Sequence, residues 1–358
     1  MKSANTIVLL LILVFSSCKK EDNSPSTNSS LDFRTGIWVS NEGSFMQANA
    51  EVSVLGIADT PIIEGFRAAN GYEVGDVLQS IYLTENKAYL VVNNSQKVEV
   101  VDQKSMESIG VIAPCSYPRY FVQLNDQTGY ISNGSGSGEV LIVILESLEV
   151  IGQIPVGNGP EAMQIIGDYL FVVNSGGWLE DNSVSVINTL TNQETQRITV
   201  GDRPVKLTLT ADGMLQVLCA GKIIYDENWN IVAHSAAGVY AINPMDFTAT
   251  LKLSFDDVTI HPTVMTSGSA GAELYIALEE ELKVYNPLVS DDYELIRTID
   301  QRADAILVDD ANSQIWLTQI VDYSTAGKVL KLTEEGTVLQ EITVGIAPNG
   351  IYAGSAMN

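Results

Sequence analysis

The sequence predicts an all-β fold, a seven-bladed β-propeller with four-stranded blades, closed by its C-terminal strand pairing into the first blade. Three observations predict it. A unit recurs: "IPVGNGPEAMQI" (Ile154–Ile165), "ITVGDRPVKLTL" (Ile198–Leu209) and "ITVGIAPNGIYAG" (Ile342–Gly354) share a Gly-x-x-Pro step between apolar stretches. Short apolar stretches alternate with period two between Gly, Asn, Asp and Pro, as strands and turns do. The two ends are complementary, because the chain opens with a second-position strand and closes with an innermost one.

Seven repeat starts follow in order: Asp76, Pro118, Pro160, Pro204, Pro262, Ala303 and Pro348. They are spaced 42, 42, 44, 58, 41 and 45 residues apart. That period is the signature of propeller blades. The long interval holds an insertion around Cys219–Gly238. The second strands are Ala88–Asn93, Gly129–Asn133, Tyr169–Asn174, Leu215–Ala220, Leu274–Leu278 and Ile315–Thr318, with Gly36–Asn41 before any repeat start. Third strands include Lys97–Asp102, Ser183–Asn188 and Gly238–Asn243, and Glu194–Val200 is a fourth. No segment longer than about 12 residues keeps a helical period. Pairing Pro348–Ala353 with Gly36–Asn41 removes the free sheet edges. In the Gly-x-x-Pro step, glycine is expected to supply positive φ and proline to fix the turn. No helix follows these glycines, so they are not a phosphate cradle.

The sequence divides into residues 1–17, a signal peptide; 18–35, a lipidated flexible tether; and 36–354, the propeller. Ile7–Phe15 is an apolar run of nine residues. It is too short to span roughly 30 Å of hydrocarbon and suits a signal h-region. Ser16-Ser17-Cys18 resembles a bacterial lipobox and makes Cys18 the candidate lipidation site. Phe15 departs from the commoner leucine, and an ordinary secreted protein with Cys18 incidental is the competing reading. Lys19-Lys20-Glu21-Asp22 resembles the surface-export signal of Bacteroidota lipoproteins. The localisation expected is the outer membrane at the cell surface. "EDNSPSTNSS" (Glu21–Ser30) is polar and aperiodic, as a tether is.

The formal charge is −25, from 44 acids against 19 bases. A phosphate backbone is repelled by such a field, which argues against nucleic-acid partners. Beyond Cys18 the chain has Cys115 and Cys219, in non-neighbouring repeats. Two buried free thiols are favoured over a bridge, though the compartment would permit one.

In antiparallel blades the strand-two-to-three loops share one face with the crossings between blades. That face receives the long loops, and with them Phe45, Tyr72, Tyr117, Tyr120, Trp178, Trp229 and Tyr323. Long loops on a rigid scaffold are where binding residues concentrate, and aromatic rings give contact area at low entropic cost. The other face receives short turns such as Asn125–Thr128 and Glu334–Thr337. Asn41, Asn93, Asn133 and Asn174 end strand two in four blades. Each is read first as a turn-capping amide, or, if several reach the channel mouth, as part of a ring of donors and acceptors.

Catalytic chemistry has few carriers. The only histidines, His234 and His261, fall on different loops without a carboxylate set, and no zinc spacing occurs. There is no Gly-x-Ser-x-Gly elbow. Glu180-Asp181-Asn182 is a weak calcium motif, and Glu279–Glu281 reads as a solvated turn. The expectation is a protein that is not an enzyme and carries no metal and no cofactor.

Four stretches carry a family resemblance: "GIWVSNEGSF", "ANGYEVGDVLQSIYL…AYLVVNNS", "SYPRY" and "IWLTQIVDYSTAGKVLKLTEEGTVLQEITVGIAPNGIYA". They resemble the YncE-like or surface-layer-type propeller lipoproteins of Bacteroidota, which include surface proteins that capture cobalamin for a TonB-dependent outer-membrane transporter. The resemblance covers nearly the whole mature chain and is weaker between Trp178 and Thr263. It implies a ligand such as cobalamin or another corrinoid and a transporter partner. It also implies binding roles for Asn41-Glu42-Gly43, Tyr117-Pro118-Arg119-Tyr120 and Asp322-Tyr323. With the loop residues, the candidate ligand-binding set is Asn41, Phe45, Tyr72, Tyr117, Arg119, Asn133, Asn174, Trp178, Trp229 and Tyr323. The competing functions are a lactonase- or hydrolase-type propeller enzyme and a protein-interaction module without a small ligand.

Overall fold

Strands two and three of the repeats are apolar at consecutive positions, which a sheet tolerates only when both of its faces are buried. The computed structural model describes residues 31–134, 136–289 and 291–357, and the blades satisfy that demand. In Lys87–Val92, Ala88, Leu90 and Val92 pack toward one neighbouring sheet, while Tyr89 and Val91 pack toward the other. Leu170 and Val172 divide in the same way from Phe171 and Val173. Seven apolar clusters result, one between each pair of adjacent blades around the ring. Fourth strands have no sheet outside them. Glu149–Pro155, for example, alternates between partly covered and exposed side chains along most of its length.

Six blades have four antiparallel strands each. Blade 1 spans Leu78–Ile112, blade 2 Pro118–Pro155 and blade 3 Pro160–Thr199. Blade 4 spans Pro204–Ser254, blade 5 Val264–Ile299 and blade 6 Ala305–Ile346. The seventh is the closing blade. Its inner strand is Pro348–Ala353, followed outward by Ile37–Asn41 and Glu51–Leu55, and the fourth position is reduced to a bridge between Val54 and Ile62. Ile37 pairs with Ala353, Trp38 with Tyr352 and Val39 with Ile351, so the C-terminal strand seals the ring as the sequence predicts. Each innermost strand touches the innermost strands before and after it, and Pro348–Ala353 meets Leu78–Leu83. The packed fold extends slightly past 36–354. Phe33 is buried against the edge of Trp38, and Ala356 N–H donates to Arg34 C=O at 2.9 Å. The signal segment, Cys18 and the tether up to Ser30 lie outside the described residues.

Two features go beyond the sequence reading, and one expectation needs correction. The insertion in blade 4 is not a plain loop: Ile223–Tyr225 and Ile231–His234 pair as a separate two-stranded hairpin. A six-residue α-helix, Gly65–Asn70, interrupts the crossing into blade 1; it is too short to leave a periodic signature. The correction concerns the Gly-x-x-Pro step. Positive φ falls on the residue before proline, at Gly159 (54°), Arg203 (56°) and Ala347 (52°), and not on the first glycine. The first glycine is there for space. A Cβ on Gly157 would lie 2.5 Å from Asn174 Cγ, one on Gly201 3.0 Å from Cys219 Cβ, and one on Gly345 2.6 Å from Asn41 Cγ.

Cys115 and Cys219 are free, buried in different inter-blade clusters. Burial pushes both thiols up to about 12, which leaves them protonated and inert at neutral pH.

Candidate ligand-binding mouth

The residue that follows each repeat's proline, or its equivalent, enters the innermost strand at the rim of the channel. Gln79, Arg119, Glu161, Val205, Thr263, Asp304 and Asn349, one from every blade, line a single cavity of about 400 Å³. The sequence reading singled out only Arg119 of these. The repeat register carried the signal: the position after the start is polar in five of seven repeats, and those side chains face the axis of the ring. Blade 1 also shows that its structural start is Leu78, two residues after the predicted Asp76.

Hydrogen bonds stitch this ring together. Arg119 Nε donates to Glu161 Oε1 at 3.0 Å, and its Nη1 donates to Gln79 Oε1 at 2.6 Å, joining blades 1, 2 and 3. Asn349 Oδ1 accepts from Ser40 Oγ at 2.6 Å, and its Nδ2 donates to Leu78 C=O at 3.0 Å. Asp304 accepts from Arg302 Nη2 at 3.0 Å and from the Ile320 N–H at 2.7 Å. Glu42 also lines the cavity, and burial raises its carboxyl above the usual carboxylate range.

Below the ring the channel continues into a second cavity of about 510 Å³. The two share a waist formed by Tyr120, Lys206, Val264, Asp304, Asn349 and Tyr352. Lys206 Nζ donates to Tyr120 Oη at 2.7 Å and lies 4.9 Å from the centre of that ring. Burial works against the Lys206 charge, while Tyr120 and Glu161 favour it, and the balance lies above an ordinary lysine. Lys206 is therefore cationic at neutral pH.

The structure places the other candidates in three groups. Phe45, Trp178, Trp229 and Tyr323 are 66, 79, 82 and 58 % exposed. They stand on long loops of the mouth face, Phe45 and Tyr323 on adjoining loops joined by a Ser44 Oγ donation to Tyr323 C=O at 2.6 Å. Tyr225 of the hairpin joins this set, 6.0 Å from Trp229 between ring centres. Tyr117 is half-buried and carries the Arg119 guanidinium 5.6 Å from its ring centre. Tyr72 stands at the flank, edge-on to Phe66, with its hydroxyl donating to Glu99 Oε1 at 3.3 Å.

Asn41, Asn93, Asn133 and Asn174 do not form a ring at the mouth. All four are buried. Asn41 Nδ2 donates to Ser53 Oγ at 2.9 Å, Asn174 Nδ2 to Ser185 Oγ at 2.9 Å, Asn133 Nδ2 to Glu139 Oε1 at 2.8 Å and Asn93 Nδ2 to Pro118 C=O at 2.9 Å. They tie the end of strand two to adjacent strands or to the next crossing. Asn41 and Asn174 lie under the step glycines, so backbone separates them from a ligand.

The histidines do meet, although the sequence sets them on separate loops. His234 Nδ1 and His261 Nε2 are 2.8 Å apart, and His261 Nδ1 lies 2.7 Å from Ala220 C=O. The backbone oxygen can only accept, so His261 Nδ1 carries hydrogen. In the neutral pair His261 Nε2 then accepts from His234 Nδ1–H. This link ties the end of the hairpin to the crossing into blade 5. Replacing His261 with Ala is expected to speed hydrogen exchange in Ile223–His234 while costing the whole fold only about 1 kcal/mol. Exchange that stays at the wild-type rate would show that the link does not hold the hairpin. Among the described residues no three His, Cys, Asp or Glu side chains come together to hold a metal ion. Asp181 instead accepts from Asn158 N–H at 2.8 Å, and Glu180 pairs with Lys222 at 2.8 Å. Glu281 pairs with Lys283 at 3.1 Å.

Residues 35–220, just over half of the chain, match the family model described as a domain of unknown function, DUF5074. The chain belongs to the DUF5074 family. Among curated proteins none matches it. Solved structures do. A functionally unknown protein from Desulfotomaculum acetoxidans superposes with a TM-score of 0.65 at 14 % identity, over 89 % of this chain and 98 % of that one. A quinonprotein alcohol dehydrogenase-like protein from Bacteroides thetaiotaomicron gives 0.63 at 15 %, over 89 % and 78 %. A protein from Lactobacillus plantarum gives 0.63 at 15 %, over 88 % and 98 %. At such identities the DUF5074 chain shares a fold with them, and nothing further follows.

Proposed function

We propose that this DUF5074 propeller is a non-enzymatic surface lipoprotein of the YncE-like type. In this reading Cys18 anchors it to the outer membrane. The mouth captures a large, mostly uncharged ligand, cobalamin or another corrinoid, and a TonB-dependent transporter takes that ligand onward. One observation carries the binding reading. Among the described residues five of the six exposed large aromatics, Phe45, Trp178, Tyr225, Trp229 and Tyr323, stand on the loops of the mouth face, and the sixth, Tyr72, stands at its flank. A surface meant only for solvent has no reason to concentrate rings on one rim, whereas a rim that closes over a broad ligand does. The sequence resemblance supplies the ligand class and the partner.

The test is comigration of a cobalamin's red colour with the purified domain on gel filtration. No comigration with any corrinoid removes that ligand. Trp178→Ala and Tyr117→Ala are each expected to weaken capture about tenfold, from roughly 1–2 kcal/mol of lost contact, with unchanged melting. Wild-type affinity in both variants rejects the mouth. Protease shaving of intact cells tests the orientation, and a protected domain places it in the periplasm.

A second reading has its own observation. The hairpin leaves Ile223, Ile224, Tyr225, Ile231 and Val232 exposed, as a protein-docking element would. A copurifying protein partner lost on deleting Ile223–His234, without corrinoid binding, favours an interaction module.

A further inference from the structure

We infer that the waist of the channel holds an anionic oxygen group of the ligand, a phosphate ester or a carboxylate, on Lys206. The inference rests on the reading that the mouth takes a ligand, and it names the chemical group that enters deepest.

Lys206 is the cation of the waist without a counter-charge. An ammonium has three N–H donors, and one goes to Tyr120 Oη at 2.7 Å. Among the described residues no carboxylate stands within ion-pair distance of it, whereas Arg119 has Glu161 at 3.0 Å and Arg302 has Asp304 at 3.0 Å. Those acids are thereby neutralised where they stand. Glu42 is the remaining acid of the cavity lining, and burial shifts its carboxyl upward from the ordinary value. Arg203, exposed on the lining of the same cavity, also makes no ion pair among the described residues. The cavity lining thus carries three cations, Arg119, Arg203 and Lys206, against three acids, Glu42, Glu161 and Asp304, in a chain whose total is −25.

An unpaired Lys206 is costly to maintain. A half-buried cation gains from a partner, and a protein with 44 acids had many to spare. Leaving Lys206 unpaired in the wall of a channel is economical only if something arriving from solution completes it. The geometry suits an oxyanion. Tyr120 Oη accepts the Lys206 bond and so keeps its own proton for another acceptor. Two donors 2.7 Å apart thus sit at the junction of two cavities of about 400 and 510 Å³. The field of the whole chain repels free polyanions, so a single anionic group carried on a larger neutral body is what this waist selects.

Cyanocobalamin carries one phosphodiester in its nucleotide loop, and dicyanocobinamide, which lacks the nucleotide, does not. The experiment uses both, together with inorganic phosphate and acetate, on the full propeller, its Lys206→Gln and Lys206→Arg variants, and Tyr120→Phe. Wild type is expected to broaden the phosphate ³¹P line and to prefer cyanocobalamin over cobinamide at least tenfold. Lys206→Gln is expected to lose both effects, Lys206→Arg to keep them, and Tyr120→Phe to weaken them. Acetate displacing phosphate at equal concentration assigns the group as a carboxylate. Wild-type behaviour in both Lys206→Gln and Tyr120→Phe, with folding confirmed by melting, overturns the inference. If neither corrinoid binds, the corrinoid reading falls, and the phosphate and acetate arms still decide the waist: no Lys206-dependent binding of either overturns the inference.

Discussion

A chain truncated after Ile346 is expected to lose its cooperative melt. Pro348–Ala353 is the innermost strand of the closing blade and pairs the chain's end with its beginning. Without it, Ile37–Asn41 and Glu51–Leu55 remain as a two-stranded sheet, and such a sheet is marginal in water. The loss goes further than one strand. Ile351 leaves the cluster between blade 6 and the closing blade. Asn349 no longer bonds Ser40 and Leu78, and Tyr352 no longer accepts the Ile81 N–H at 3.1 Å. Two sheet faces and an edge are left open to association. The cost is set against a total stability of about 5–15 kcal/mol and should consume most of it. Circular dichroism melts with gel filtration check this; a truncated chain that is monomeric and melts within a few degrees of wild type shows that the strand is not the closure.

The second large effect is a single methyl group. Gly345→Ala is expected to destabilise by about 3 kcal/mol, at the upper end of overpacking costs. The new Cβ would lie 2.6 Å from Asn41 Cγ and 2.9 Å from its Cβ. Asn41 cannot step aside without giving up its bond to Ser53 Oγ at 2.9 Å in a fully buried site. Two residues on, the opposite change has the opposite sign. Ala347 holds φ at 52°, a conformation costing an L-residue roughly 1–2 kcal/mol. Ala347→Gly relieves that strain and forfeits about 0.8 kcal/mol of methyl burial, leaving a small net gain. Denaturant melts of both variants decide the matter. If Gly345→Ala is neutral while Ala347→Gly destabilises, the roles assigned to the two positions are reversed.

These two positions show where the repeat was legible and where it was not. The Gly-x-x-Pro recurrence, the blade count and the closure could be read because each follows from period and punctuation. Tyr169–Asn174, Ser183–Asn188 and Lys97–Asp102 are strands at the residues the alternation predicts. Why glycine stands first in the step could not be read, because the atom it avoids belongs to a residue 17 or 18 positions later or about three hundred earlier. The candidate mouth divides similarly. Long loops and aromatic side chains announced the face. Gln79, Glu161 and Asp304 went unnoticed because a polar residue in a strand normally means solvent, and here it means the channel. Asn41, Asn133 and Asn174 were over-read for the converse reason: an amide at a strand end looks the same in sequence whether it faces a ligand or ties two strands.

By itself the sequence determined a ring of seven sheets, its seam and the face bearing its loops, since local periodicity and turn chemistry are written residue by residue. Only the tertiary structure decided which side chains converge. Lys206 stands without a counter-charge at the waist, Arg119 is already spent on Glu161, and His234 finds His261 across 27 residues of chain. Contacts and charge balance depend on distances through space, and a linear order of residues does not fix those until the ring has closed.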